Sequence, residues 1–155
     1  ENGVWLSIQP ILDDEDRMVF PSADSNEKFR LATAGTEKVY ALAKEIGVKI
    51  AFGTDALMDP ATAAKQGKLL SKLSRWFTPY EALKMATSDN AKLMEMAGPR
   101  HPYQEGPLGV IKEGAYADLI LVNGNPLENL NLVADAGKNF ALIMKDGKIY
   151  KNTIK

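Results

Sequence analysis

The tripeptide Gly53-Thr54-Asp55 is the part of this chain whose residue types and position could do chemistry. It follows the apolar run Val48–Phe52, which predicts a buried strand with Asp55 just beyond its end. Parallel α/β barrels keep their catalytic groups at the carboxyl ends of the strands. A carboxylate there can bind a divalent cation and take a proton from metal-bound water. An aspartate after a strand can equally be a turn residue or a helix cap.

The alternation of side chains along this strand predicts the face of the sheet to which the Asp55 side chain points. If the chain stays extended through residue 55, Ile50 and Phe52 point to one face and Asp55 to the other. We expect the two apolar side chains to pack against helices and Asp55 to stand at the rim. Leu57 and Met58 lie just past Asp55, and we expect them to line a substrate pocket or to serve as packing residues.

The elements that must position Asp55 alternate between strand and helix, which is the order of parallel βα units. Apolar runs and apolar spacings of three and four residues support this order. The predicted strands and helices cover residues 3–10, 26–46, 48–53 and 59–76. Two consecutive units suit either a barrel or an open doubly wound sheet.

Capping residues predict where the helices begin and end. Asp24 and Glu27 resemble a capping box with aspartate at the N-cap, and Gly47 is a natural helix stop. The segment Thr78–Glu81 predicts another helix start. Threonine is a good N-cap, proline presets φ at the first helical position, and the glutamate side chain can bond back to the N-cap N–H. A short helix is expected around residues 90–97.

After Pro99 the composition shifts to short apolar runs separated by glycine and proline. These runs cover residues 108–111, 119–122, 140–144 and 149–150. The segment Lys145–Lys148 predicts a type I′ hairpin turn, since its two central residues are Asp-Gly. We therefore expect an antiparallel β layer, and we divide the chain into regions 1–98 and 99–155.

The overall composition excludes several classes of protein. A formal net charge of −1 without a basic stripe argues against nucleic-acid binding. No apolar run approaches the ~20 residues of a membrane helix. The absence of cysteine excludes a disulfide framework or a thiolate metal site, and it leaves the compartment open between cytoplasm and export.

Three other polar features are weaker candidates for a site. His101 is the single histidine, and we expect it on a surface loop because nothing nearby adds a second metal ligand. Asp118 opens an apolar strand, which favours a turn or sheet-edge role over catalysis. The acidic run 13–16 could attract a cation, but we expect a solvated loop.

Five motifs are spaced along nearly the whole chain. They are Gly53-Thr54-Asp55-Ala56, Phe77–Thr87, Leu108–Val122, Gly124–Leu127 and Ile143–Tyr150. Together and in this order they resemble the amidohydrolase superfamily. The most similar branch is that of the imidazolonepropionase-related amidohydrolases and the Xaa-Pro or carboxy-dipeptidases.

The resemblance implies a (β/α)8 barrel with one or two divalent metals, usually zinc, at its rim. Asp55 matches the family's final aspartate on strand eight, which binds the metal and carries a proton from the attacking water to the leaving nitrogen. Residues 1–10 would be strand seven and 48–53 strand eight, so the fold class is α/β. The tail from about residue 106 would complete a small composite β-sandwich.

The family's other metal ligands do not occur in this sequence: a His-x-His, a middle-strand lysine or glutamate, and two further histidines. We therefore expect a C-terminal fragment with about a quarter of a barrel. The chain alone should be inactive and should not retain metal, because a catalytic zinc is bound by about three protein ligands. It would also expose sheet edges where the missing strands belong.

We expect the intact protein to hydrolyse a C–N bond of a small molecule: a dipeptide, an N-acyl amino acid or a cyclic amide. Its implied partner is the missing N-terminal part of the same protein, and homo-oligomerisation is left open. Two alternatives of other classes stand beside this hypothesis. The chain is a non-catalytic half that completes a barrel with another polypeptide or is an inert relic, or it is an unrelated α/β binding module.

Overall fold

Two separate β-sheets organise the chain in a computed structural model that describes residues 3–14, 17–56 and 60–154, Thr62 by its backbone alone. The first sheet is parallel and pairs β1 (Trp5–Ile8) with β2 (Lys49–Phe52). In its register Leu6 is opposite Ile50. The two strands predicted around these residues are confirmed with shorter bounds, and so is their parallel arrangement.

Two helices, α1 (Ala23–Thr33) and α2 (Thr36–Ile46), connect β1 to β2. The prediction of one helix over 26–46 is wrong, because the chain leaves the helix at Ala34 and Gly35. Glycine in a helix interior costs about 0.5–1 kcal/mol relative to alanine, which favours a break there. The Thr36 hydroxyl then donates to the Ile11 carbonyl at 3.2 Å and anchors the start of α2.

The predicted capping box at Asp24 is also wrong. Ser22 is the N-cap of α1, and its hydroxyl oxygen accepts the Ser25 N–H at 3.0 Å. Glu27 accepts from the Arg30 side chain at 2.7 and 2.8 Å, one turn along the helix, instead of reaching back. Serine is as good an N-cap as aspartate, so the helix begins one residue after it.

Gly47 ends α2 in the left-handed conformation at φ 65°, as predicted. After β2 the predicted helix over 59–76 is three shorter pieces within the described residues. They are α3 (Pro60–Ala63), α4 (Gln66–Lys72) and a 3-10 turn, Leu73–Arg75. The predicted start at Asp59 lies outside the described residues.

A longer helical stretch follows, from α5 (Pro79–Lys84) through a π-helical segment (Met85–Asp89) into α6 (Asn90–Glu95). The capping box predicted at its start is confirmed: the Thr78 hydroxyl oxygen accepts the Glu81 N–H, and the Glu81 carboxylate accepts the Thr78 N–H. That backbone bond from Thr78 lowers the pKa of Glu81. A 3-10 turn, Gly98–Arg100, ends this part of the chain.

Replacing Thr78 by alanine should lower the free energy of unfolding by about 1 kcal/mol, because the first turn of α5 loses its side-chain cap. Urea unfolding followed by circular dichroism measures the loss. Thr87→Ala is a matched control, since the exposed Thr87 hydroxyl only donates to the Leu83 carbonyl within the helix. Equal losses for the two variants would contradict the capping role.

The second sheet is antiparallel, in the order β3 (Leu119–Val122), β4 (Phe140–Lys145), β5 (Lys148–Asn152). It confirms the predicted β layer and its hairpin, in which Asp146 and Gly147 have φ of 49° and 72°. A 3-10 turn (Leu130–Ala134) and α7 (Ala136–Asn139) precede β4.

The apolar run 108–111 is not a strand, contrary to the prediction. Gly109 adopts φ 67°, which interrupts an extended chain. A Cβ built on Gly109 would lie 2.5 Å from the Thr87 carbonyl carbon. The run therefore makes a turn whose backbone lies directly on the π-helical segment.

The core joins both parts of the chain around Tyr40. Its ring stacks on Trp76 at a centroid distance of 4.4 Å, and its hydroxyl donates to the Ile8 carbonyl at 3.1 Å. Burial raises the pKa of the Tyr40 hydroxyl well above its usual range. Leu130 and Val133 bring the 3-10 turn into the same cluster. The cluster comprises Tyr40, Ala43, Ile50, Leu73, Phe77, Ala82, Met85, Leu130 and Val133. Across the described residues, no helix has the length and apolar character needed to cross a membrane.

Candidate functional site

Asp55 stands beyond the carboxyl end of β2 with an exposed side chain. The strand ends at Phe52, and Asp55 itself has φ 52°, so the extended chain assumed in the prediction does not reach it. Apart from Asp146 in the hairpin turn, Asp55 is the one non-glycine residue with positive φ in the described part of the chain. This backbone costs about 1–2 kcal/mol for most residues, and aspartate is among the few that tolerate it.

The strand faces otherwise follow the prediction. Ile50 is 8% exposed and lies in the core, and Phe52 packs against the same cluster. Ser7 and Ala51 are opposite each other in the register and share the other face. A Cβ built on Gly53 would be 3.9 Å from the Ser7 hydroxyl oxygen. A face of small side chains therefore leads towards the strand end that carries Asp55.

Asn90, the first residue of α6, holds the end of β2 from the side. Its Oδ1 accepts the Phe52 N–H at 3.0 Å, and its Nδ2 donates to the Phe52 carbonyl at 2.8 Å. The sequence predicts Asn90 only as the start of a short helix. Its partner lies 38 residues away in the chain, so no local spacing marks the contact.

The donor groups present do not by themselves fit a zinc ion. Within residues 3–14, 17–56 and 60–154, no three histidine, cysteine or acidic side chains form a group that could hold a metal. A catalytic zinc takes about three protein ligands, and Asp55 would supply one. Leu57 and Met58, which we expected to line a substrate pocket or to pack, lie outside the described residues.

His101 is buried, with 8% of its surface exposed, so the expectation of a surface histidine is wrong. Its Nδ1 accepts the Tyr103 N–H at 3.4 Å, and its ring meets the Tyr103 ring edge-on at 5.8 Å. The Gln104 side chain donates to the His101 carbonyl and closes the loop around it. The histidine therefore packs inside a short loop that folds back on itself.

The acidic run is only partly a solvated loop. Asp13 is exposed and pairs with Arg17 at 3.1 Å. The Asp14 carboxylate is 20% exposed and lies 2.6 Å from the Lys72 ammonium of α4, which ties the β1–α1 loop to that helix. Residues 15 and 16 lie outside the described residues.

Asp118 has the turn and sheet-edge role that we predicted. Its carboxylate accepts from the Lys145 ammonium at 2.9 Å and from the Asp146 N–H at 2.6 Å, so it joins β3 to the hairpin turn. The hydrogen bond from Lys145 is the main reason that the pKa of Asp118 lies below its usual value of 3.8.

We expect Asp118→Asn to lower the melting temperature at pH 7 by about one to two degrees. A depressed folded-state pKa stabilises the protein above the unfolded-state pKa, and this contribution disappears as the pH falls through the folded value. The difference from the parent chain should therefore shrink below about pH 4. Thermal melts between pH 2 and pH 7 measure it. Asp24→Asn, which removes an exposed carboxylate on α1, controls for charge, and a difference independent of pH would contradict the prediction.

Comparisons with known proteins cover nearly the whole chain. A family model described as the amidohydrolase family matches residues 1–150. An ochratoxinase from Aspergillus niger is 35% identical over 74% of this chain and 22% of its own length. A 5-methylthioadenosine/S-adenosylhomocysteine deaminase from Thermococcus sibiricus is 30% identical over 96% of this chain and 36% of its own length.

Solved structures resemble the fold over the same extent. The crystal structure of an amidohydrolase superimposes with a TM-score of 0.79 at 26% identity, over 99% of this chain and 36% of the other. A prolidase in complex with N-methylphosphonate-L-proline has a TM-score of 0.77 at 27% identity, over 97% of this chain and 35% of the other. The chain thus spans about a third of these solved structures.

Proposed function

Because the chain belongs to the amidohydrolase family, as its motifs predicted, we propose that it is the C-terminal part of an enzyme that hydrolyses a C–N bond. The fold is related to the TIM barrel, with helices and strands mixed along the chain. The proposal of a longer enzyme is supported by the shares of 22% and 36% that the chain spans of its two curated relatives.

In this proposal β1 and β2 are strands seven and eight of a (β/α)8 barrel, in region 1–98. Their parallel pairing, with a helical connection between them, fits a βαβ unit of such a barrel. The sheet of β3, β4 and β5, in region 99–155, would complete a small β-sandwich with strands from the missing N-terminal part. Its separation from the parallel sheet supports that assignment.

The observation that carries the function is the position of Asp55: an exposed carboxylate, at a positive φ that few non-glycine residues adopt, beyond the carboxyl end of a parallel strand. Residues held in such conformations concentrate at functional sites. We assign Asp55 two tasks, to bind a divalent metal, with zinc as the leading candidate, and to carry a proton to the leaving nitrogen. When bound, such a metal supplies Lewis-acid polarisation and lowers the pKa of water. The remaining ligands would come from outside the described residues.

The substrate that we propose is a small molecule with an amide or peptide bond. Two structural neighbours are named as prolidases, one of them from Bifidobacterium longum, and the other was crystallised with a proline phosphonate. These neighbours favour a dipeptide that ends in proline over an N-acyl amino acid or a cyclic amide. Leu57 and Met58, two and three residues after Asp55, are the proposed contacts with its side chains.

The test uses the full-length product of the gene that encodes this chain. Metal content by mass spectrometry and hydrolysis of Ala-Pro, N-acetyl amino acids and cyclic amides are measured on the same preparation. We expect bound zinc and cleavage of at least one of these classes. A metal-free, inactive protein overturns the proposal, and a second polypeptide that co-purifies in stoichiometric amount would identify the chain as a non-catalytic half.

A further inference from the structure

We propose that Asn90 is a positioning residue for Asp55, acting through the carboxyl end of β2. The inference rests on the proposed function, because a positioned Asp55 matters only if its carboxylate takes part in the reaction. The observation behind it is the double hydrogen bond between the Asn90 amide and the backbone of Phe52, three residues before Asp55.

The contact satisfies backbone groups at the point where β2 ends. Phe52 is the last residue of β2, and both its N–H and its carbonyl are bonded to Asn90, so they face away from β1. A backbone group left without a partner at this half-buried position would cost about 1–3 kcal/mol. The amide therefore fixes the direction in which the chain leaves the sheet, just where it turns to the left-handed conformation of Asp55.

The π-helical segment orients the Asn90 side chain towards β2. The Asn90 N–H bonds to the Met85 carbonyl five residues back and to the Thr87 carbonyl three residues back, instead of to the carbonyl four residues back. An α-helix turns by about 100° per residue, so the extra residue rotates everything after it by roughly that angle. Without the π segment, the Asn90 side chain would be carried around the helix and away from Phe52.

Two contacts hold the π segment in this form. Asp89, its last residue, pairs with Lys84 and with Lys92, one on each side of it along the helix. The backbone of Thr87 lies so close to Gly109 that no side chain fits between them. These contacts restrain the helix that carries Asn90. A residue that positions another group needs such a rigid support.

Asparagine is the side chain that this contact needs. Its amide offers one acceptor and one donor side by side, which match the N–H and the carbonyl of a single residue. A carboxylate of the same shape would face the Phe52 carbonyl with a second acceptor. Alanine would leave both backbone groups without a partner.

The first arm of the test measures amide hydrogen exchange in the full-length gene product, without metal or substrate. We expect Asn90→Ala, and the near-isosteric Asn90→Leu that keeps the volume, to raise exchange at Phe52 and residues 53–55 about tenfold or more. Exchange in β4 and β5 should stay unchanged. Asn139→Ala is the matched control, because the Asn139 amide also donates to a backbone carbonyl, that of Leu132, at 2.9 Å. A uniform rise over the chain, or no rise at 52–55, overturns the proposal.

The second arm measures Ala-Pro hydrolysis by the full-length gene product. We expect Asn90→Leu to lower kcat about tenfold or more while KM stays within about twofold, because a displaced Asp55 affects the reaction more than binding. A normal kcat with raised exchange overturns the positioning role. If the parent protein cleaves no substrate, the proposed function fails, while the exchange result still decides whether Asn90 holds the strand end.

Discussion

Replacing Asp55 by asparagine should lower kcat/KM of the full-length gene product for its best substrate by about a thousandfold or more. In the proposed reaction this carboxylate binds the metal and carries a proton, and general acid–base catalysis alone contributes about 10²–10⁴-fold. Asparagine keeps the size of the side chain and tolerates the left-handed backbone at φ 52°. The loss of activity would therefore be due to the missing charge and proton acceptor, and not to a change in the loop conformation.

The control for this variant is Asp24→Asn, which removes another exposed carboxylate, from the first turn of α1. It should keep activity within about twofold, since the residue makes only a surface ion pair with Lys28. Zinc content measured beside the kinetics separates the two tasks, because a lost ligand lowers metal occupancy and a lost proton carrier does not. If the Asp55→Asn enzyme has the activity of the parent, Asp55 has no role in the reaction.

Gly109→Ala should destabilise the 155-residue chain by about 3 kcal/mol, the largest stability effect that we expect. Two costs add. A Cβ at φ 67° is strained by about 1–2 kcal/mol, and it would lie 2.5–2.8 Å from the Thr87 and Ser88 backbone. Backbone cannot swing aside as a side chain does, so the overlap costs about a further 1–3 kcal/mol. Urea unfolding at neutral pH measures the sum.

Gly47→Ala isolates the strain from the overlap. Gly47 has φ 65°, almost the same as Gly109, but at the end of α2 a Cβ added to it would meet nothing within 4 Å. The free energy of unfolding of Gly47→Ala should be only about 1 kcal/mol lower than that of the parent. If the two alanine variants lose the same free energy, the close contact between the 108–111 turn and the π segment is not a stabilising restraint.

The parts of the fold that sequence predicts well are those whose two partners are near in the chain. The capping box at Thr78, the helix stop at Gly47 and the Asp146-Gly147 turn each depend on contacts within a few residues, and the structure has all three. The helix break at Gly35 escaped prediction because apolar spacing continues across it. There a tertiary bond, from Thr36 to Ile11, decides where the second helix starts.

The candidate site shows the same division. Asp55 was predictable from its place after an apolar run, because that position follows from local pattern and a family motif. Its left-handed backbone was not, since strand periodicity gives no sign of where extension ends. Asn90 was missed because its contact with Phe52 depends on the extra residue in the π segment. No propensity rule places such a segment.

The shared core has a consequence for the synthesis of the chain. β1, α2 and β2 leave the ribosome well before Leu130 and Val133, the residues of the last third that share their core. Until then α4, which packs against the turn at 130–134, lacks part of the surface that covers it, and contacts so far apart in sequence form late in folding. During that interval the nascent chain exposes apolar surface of the kind that chaperones protect from aggregation. Vectorial synthesis therefore delays the closing of this core until the turn at 130–134 has emerged.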